Sequence, residues 1–305
     1  MPESIAKPTA RDLLGTLRAP FLLLNLSCVM LGAGCAFWRE GSIHWTDALL
    51  ALLGAVCAHA SVNSLNEYSD FLTGVDSRTV RTPFSGGSGT LQRHPGMAGY
   101  ALGIGLILAA VTAAIGVYFV ATCGWRILPV GILGLVTVSL YTPWLTRRPI
   151  LCLVAPGVGF GTCMVVGADV VLGGDYSVAG LAASMVPFFL VSNLLLLNQF
   201  PDVEADRAGG RRNILIVYGV RAGALVYTLF LAGTYASVIV AVVARVLPPL
   251  SLLAMLTIPL AIRASIGALR DGEDIARLKP ALGVNVLLNL LTPLLLALGL
   301  FIPGD

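Results

Sequence analysis

The sequence predicts an all-α protein embedded in a membrane, a bundle of nine transmembrane helices with its N-terminus in the cytoplasm. Three observations carry that prediction. Of the 305 residues, 57% are hydrophobic and only 11% are charged, whereas a soluble domain carries about 25% charged residues. Nine apolar runs, each near the length that crosses a bilayer, recur along the chain. The basic residues also segregate cleanly once those runs alternate across the membrane.

The first run, roughly 20–38, follows a polar stretch from Met1 to Ala19. It is too long for a signal-peptide core and lacks a cleavage site, so it is read as the first helix. The second, 46–66, closes on "NEYSD", Asn66 to Asp70. Runs at 97–122, 125–144 and 150–171 follow with short connections, and the sixth, 178–200, closes on "NQFPD", Asn198 to Asp202. Runs at 220–244, 247–268 and 281–302 complete the set. Only the connections 70–96, 201–219 and 269–280 are long, all on the predicted cytoplasmic side, and long loops in a compact domain tend to be functional. Residues 1–305 read as one membrane domain. With this topology sixteen Lys and Arg lie on the cytoplasmic side and three, Arg39, Arg126 and Arg245, on the other. A miscounted helix before the last would mix the two groups.

The net charge of +3 therefore reports orientation. No basic, aromatic-interleaved groove for nucleic acid is present, and nothing implies a protein partner. Cys28, Cys35, Cys57, Cys123, Cys152 and Cys163 show neither CxxC nor metal-ligand spacing and read as small packing residues. His44, His59 and His94 are scattered, without HExxH, and are likewise expected to be structural.

The chemistry lies in the two helix-closing strings. Both read Asn, Glu or Gln, aromatic, any, Asp, and four crossings separate them, so both reach the same membrane face. Asn198, Asp202 and Asp206 are spaced i, i+4, i+8, which lines one face of a helix. Pro201 cannot donate to the carbonyl of Leu197, so a break is expected just before Asp202. Asn66 and Asp70 repeat the i, i+4 spacing, with Asn63 a turn earlier; Gly74 then permits a turn before Asp76. Carboxylates at helix C-termini oppose the helix dipole, and acids at a membrane edge face a cavity or a bundle interior. Mg²⁺ supplies the compensation, binding through one or two carboxylates together with substrate phosphates. Arg78, Arg81, Arg147, Arg148, Arg207, Arg211 and Arg212 add charge suited to bidentate phosphate binding. Such a set in an apolar bundle fits a ligand with a diphosphate head and a lipid tail. "PFSGGSGT", Pro83 to Thr90, is not a P-loop and reads as a turn or an amide-lined anion nest.

On these residues the sequence resembles the UbiA superfamily of membrane prenyltransferases, which has nine transmembrane helices and Asp-rich motifs on the second and sixth. "NEYSDFLTGVD" is similar to the first motif and "NQFPDVEADRAGGRR" to the second. "YTPW", with Arg147 and Arg148, resembles the segment after the fourth helix, and Arg18 with Pro20 and Asn25 resembles the start of the first. The resemblance implies that Asn66, Asp70, Asp76, Asn198, Asp202 and Asp206 bind Mg²⁺–diphosphate, with the four aspartates catalytic. It implies that Arg18, Arg78, Arg81, Arg147, Arg211 and Tyr141 contact diphosphate. It implies Mg²⁺-dependent transfer of a prenyl group from a prenyl diphosphate to a small aromatic quinone precursor, at the cytoplasmic face of a prokaryotic inner membrane. The Asn-Glu-x-x-Asp-x5-Asp form is similar to menaquinone-branch members, which prenylate dihydroxynaphthoate. Those members often carry Gly-x-Gly-Glu where this chain reads "RRPILCLVAPG", which leaves the acceptor open. A terpene cyclase of the same superfamily and a non-enzymatic protein, either a cation-coupled transporter or a lipid-binding scaffold, are the alternative functions.

Overall fold

The chain's structure is a computed structural model that describes residues 10–74, 82 and 87–302. Among these residues every regular element is helical. Eight helices are long and apolar enough to cross a membrane, and a ninth apolar helix, Trp125–Leu140, is shorter.

A short helix, α1 (Ala10–Thr16), and a 3-10 turn (Ala19–Leu22) lead into α2 (Leu23–Glu40), which Gly41 ends in the left-handed region at φ 72°. The second crossing, α3 (Trp45–Thr73), runs beyond its apolar stretch, so Asn66 and Asp70 sit inside its last turns. Gly74 stops it at φ 71°, a conformation a side chain would resist. The chain returns through α4 (Thr90–Arg93) into α5 (Ala98–Cys123) and α6 (Leu128–Leu140).

The fifth crossing is composite. α7 (Pro149–Gly157) passes into a π-helical stretch, Val158–Val166, and then α8 (Gly167–Gly173). Pro156 lacks the N–H that would bond the carbonyl of Cys152, and π-helical turns of this kind gather at functional sites. Ser177 caps α9 (Val178–Asn198) by accepting from the Gly180 amide. Ser177 also donates to Asp169 at 2.6 Å, and Arg39 pairs with that carboxylate at 3.3 Å. This contact ties three helix ends on the side away from the two Asn-x3-Asp strings.

Pro201 breaks the sixth crossing as expected: α9 stops at Asn198, and α10 (Val203–Ala208) starts after Asp202. Asn198, Asp202 and Asp206 therefore do not share one continuous helix face. α11 (Ile214–Tyr218), α12 (Val220–Val243), a 3-10 stretch (Pro249–Thr257), α13 (Ile258–Asp271) and α14 (Ile275–Phe301) complete the chain. The connection expected over 269–280 contracts to 272–274, because Asp274 accepts from the amides of Ala276 and Arg277 and starts α14 there.

The deepest core lies between α2, α9 and α14, where Leu31, Leu190 and Leu288 are fully enclosed. α12 and α13 pack on one side of that core; α3, α5, α6 and the composite fifth crossing surround the other. Exposed Leu49, Ile107, Leu229 and Val243 cover the outer faces. That apolar exterior matches lipid as the surrounding solvent.

Candidate functional site

A cavity of about 490 Å³ opens between α3, α5, α6 and the fifth crossing, within the size range of small-molecule sites. Its polar end is lined by Asn66 and Asp70 from α3, by Asn198, Asp202, Asp206 and Arg211 from the second motif, and by Asn213 just after it. From Asp70 the lining runs down α3 to Ala51, a depth of about 28 Å at 1.5 Å per residue.

Two carboxylates from opposite motifs share one guanidinium. Arg211 is hydrogen bonded to Asp70, and to Asp206 at 2.8 Å. Both acids are almost fully buried. Local chain geometry delivers the arginine: Gly210 adopts φ 78°, and the Arg211 amide donates to the Asp206 carbonyl, which folds the chain back over α10. Burial pushes the Asp206 carboxyl above its usual range, while Arg211 and Asn213 pull it back. For Arg211, burial alone favours the neutral form, but Asp70 and Asp206 outweigh it and keep the guanidinium charged.

Flanking amides fix these acids. Asn66 donates to Asp70 at 2.8 Å and accepts from the Thr142 hydroxyl at 3.2 Å. Asn213 donates to Asp206 at 3.1 Å while its carbonyl oxygen caps α11. The Arg212 amide reaches the Thr146 carbonyl, fastening the second motif to the connection after α6. Tyr141 lines the cavity. Arg18 also lines the cavity, from a left-handed backbone at φ 52° that costs a non-glycine residue energy.

Not every residue expected at the site is brought there. Arg147 and Arg148 are exposed outside the cavity lining, and the Arg148 guanidinium stacks 4.2 Å from the Trp144 ring. Asp76, Arg78 and Arg81 lie outside the described residues. Glu67, beside Asn66 in sequence, does not line the cavity. It accepts from the Ser88 amide at 2.6 Å and the Ser88 hydroxyl at 2.8 Å, anchoring the chain segment that brings Gly87 to the cavity. Asn213 and Thr142 were missed from sequence. An Asn just before the apolar "ILIVY" is a helix N-cap signature and marks Asn213; Thr142 carries no comparable signal. His59, Cys152 and Cys163, read as packing residues, line the cavity, and all six cysteines are free.

The donor set fits Mg²⁺. It offers hard oxygen ligands, and the Asn198 side-chain oxygen is buried with no hydrogen-bond partner among the described residues. No three His, Cys, Asp or Glu side chains among those residues form a ready-made metal cluster, in keeping with an ion that takes one or two carboxylates and completes its shell with phosphate and water.

A family model described as the UbiA prenyltransferase family matches residues 25–291. A Mycobacterium tuberculosis protein named 1,4-dihydroxy-2-naphthoate octaprenyltransferase is 27% identical over 275 residues, covering 83% of this chain and 84% of that one. A Synechocystis protein named 2-carboxy-1,4-naphthoquinone phytyltransferase is 22% identical over 267 residues, covering 85% and 83%. Among solved structures, a UbiA homolog from Aeropyrum pernix aligns with a TM-score of 0.70 at 18% identity, covering 91% of this chain and 96% of that one. A UbiA homolog from Archaeoglobus fulgidus bound to GPP and Mg²⁺ aligns with a TM-score of 0.64 at 17% identity, covering 94% and 99%. The two structures share the fold with this chain.

Proposed function

As a member of the UbiA prenyltransferase family, this chain is a membrane-bound prenyltransferase, and we propose that it transfers a prenyl group from a prenyl diphosphate to a small aromatic quinone precursor, with Mg²⁺ as cofactor. One observation carries the reading: a single cavity joins carboxylates from both motifs to a long apolar recess. The relatives named for dihydroxynaphthoate and carboxynaphthoquinone support a bicyclic aromatic acceptor. The distribution of basic residues supports a polar mouth on the cytoplasmic face of a prokaryotic inner membrane.

In this reaction the bond between the first prenyl carbon and the diphosphate oxygen breaks, and its electron pair leaves with the diphosphate. A carbon of the acceptor ring captures the allylic cation and then loses its proton. Asn66, Asp70, Asp76, Asn198, Asp202 and Asp206 would hold Mg²⁺, which when bound supplies charge that stabilises the departing diphosphate. Arg18, Arg211 and Tyr141 line the cavity and contact the diphosphate; Arg78, Arg81 and Arg147 are proposed with them from the motifs. Arg211 arrives charged and already oriented by two acids, so it pays little reorganisation as negative charge develops. The apolar walls below hold the tail and keep water from the cation.

The direct test is mass spectrometry of lipid-soluble products after incubation with prenyl diphosphates and phenolic acceptors. A prenylated aromatic, lost on chelation and restored by added Mg²⁺, is the expected result. A cyclic hydrocarbon or alcohol formed without acceptor would instead assign a terpene cyclase.

The deep wall of the recess predicts tail selectivity. Gly116 and Gly131 line it near its far end, and an added Cβ at either would meet nothing within 4 Å. Gly131→Phe is therefore expected to fill tail space without striking the bundle. It should lower kcat/KM for long-tailed donors by about tenfold or more while sparing the shortest ones. Equal loss across a donor-length series would show that the tail lies elsewhere.

A further inference from the structure

Partway down the otherwise apolar recess stands a polar step the metal–diphosphate chemistry does not use. His59, Asn63, Asn66 and Asp70 follow one another at i, i+4, i+7 and i+11, and all four line the cavity. His59 thus lies about 16 Å along α3 from Asp70 at 1.5 Å per residue, below the carboxylates and above the glycine-walled end.

The hydrogen bonds fix what this step offers. The Asn25 side-chain nitrogen donates to the Leu22 carbonyl at 2.8 Å, which sets the orientation of that amide. The same nitrogen lies 3.3 Å from His59 Nδ1. An amide nitrogen only donates, so Nδ1 is the acceptor and the imidazole proton resides on Nε2. No hydrogen bond reaches Nε2 from the described residues. One turn up, the Asn63 nitrogen donates to the Leu17 carbonyl at 2.9 Å, which leaves the Asn63 oxygen as an acceptor on the same face. Phe160, from the π-helical stretch, sets its ring against His59 at 4.8 Å, nearly perpendicular. One donor, one acceptor and an aromatic edge therefore stand together. A prenyl tail has no use for either polar group, and leaving them against it would cost their solvation.

We propose that His59 and Asn63 form the oxygen-binding subsite of the aromatic acceptor: His59 Nε2–H donates to a ring hydroxyl, and the Asn63 side-chain oxygen accepts that hydroxyl's proton in a hydrogen bond. Phe160 flanks the acceptor ring. This subsite rests on the proposed transferase reaction and names how its second substrate is held. His59 binds and orients the acceptor; the proton lost from the ring carbon is not assigned to it.

The test is steady-state kinetics of His59→Phe, His59→Asn and His59→Gln with the best aromatic acceptor of the wild type, the donor varied separately. Phe lacks the donor, and the Asn amide falls short of the Nε2 position. Both are expected to raise the acceptor KM about tenfold, the worth of one neutral hydrogen bond, with the donor KM within about twofold. The Gln amide nitrogen reaches the Nε2 position and should restore most of the affinity. An acceptor analogue lacking the bound hydroxyl should no longer distinguish wild type from His59→Phe, a response that a merely structural histidine would not give. Thermal unfolding in detergent checks that each variant is folded, and the Asn variant carries the comparison if the Phe variant is not. An unchanged acceptor KM in the variants, or donor and acceptor KM rising alike, overturns the subsite and leaves the reaction standing. Failure of the wild type to prenylate any aromatic overturns both.

Discussion

Asp70→Ala and Asp206→Ala are each expected to lower kcat/KM by about 10²–10³-fold, the usual loss when one preorganised charge is taken from a site where charge develops. The structure adds a sharper expectation. Both acids hold the same guanidinium, that of Arg211, so the three side chains act as one unit. The double variant Asp70→Ala/Arg211→Ala should therefore be far less impaired than the product of its single losses. Arg211→Lys should rescue little, because a single ammonium cannot reproduce a planar fork held between two carboxylates. Kinetics on detergent-purified variants, with unfolding temperatures measured alongside, make the comparison. Full turnover by Asp70→Ala would remove the first motif from the reaction, and strict multiplicativity would dissolve the Asp70–Arg211–Asp206 unit.

Gly161→Val is expected to cost about 3 kcal/mol or more of stability, at or beyond the upper end of ordinary overpacking. A Cβ at Gly161 would come to 2.6 Å from the Ser184 carbonyl oxygen and 2.8 Å from the Phe188 amide nitrogen, both backbone atoms of α9. Gly157, one GxxxG step earlier, faces the Phe188 carbonyl and the Ser192 hydroxyl more closely still. The fifth and sixth crossings thus approach backbone to backbone, as small residues at that spacing permit in membranes, and no rotamer change relieves a clash with main chain. Gly159, between them, lines the cavity, and its added Cβ meets nothing within 4 Å. Gly159→Ala should unfold at nearly the wild-type temperature and is the stability control. Equal unfolding temperatures for Gly161→Val and wild type would contradict the close approach.

The paired Asn-x3-Asp strings were legible because their meaning is local. Spacing alone puts Asn66 next to Asp70, and the missing amide of Pro201 ends α9 whatever surrounds it. Gly74 stopped α3 where a turn was expected. Selection among similar residues was not legible. Seven arginines near the motifs looked equivalent, yet among those described only Arg211 reaches the carboxylates, because Gly210 turns the chain back on α10. Glu67 sits in the middle of the first motif but points to Ser88, since neighbouring residues on a helix leave it in different directions. His59 read as packing because the group that fixes its tautomer, Asn25, lies on another helix.

The sequence by itself determined an α-helical membrane chain, the ends of its helices and the two acidic strings that share one face, because hydropathy, capping and proline chemistry act within a few residues. The tertiary structure alone decided which arginine joins the two strings, which histidine faces the recess and which glycines leave room for a tail. Those outcomes depend on side chains that meet from helices far apart in sequence, and only the packed bundle sets their distances and directions.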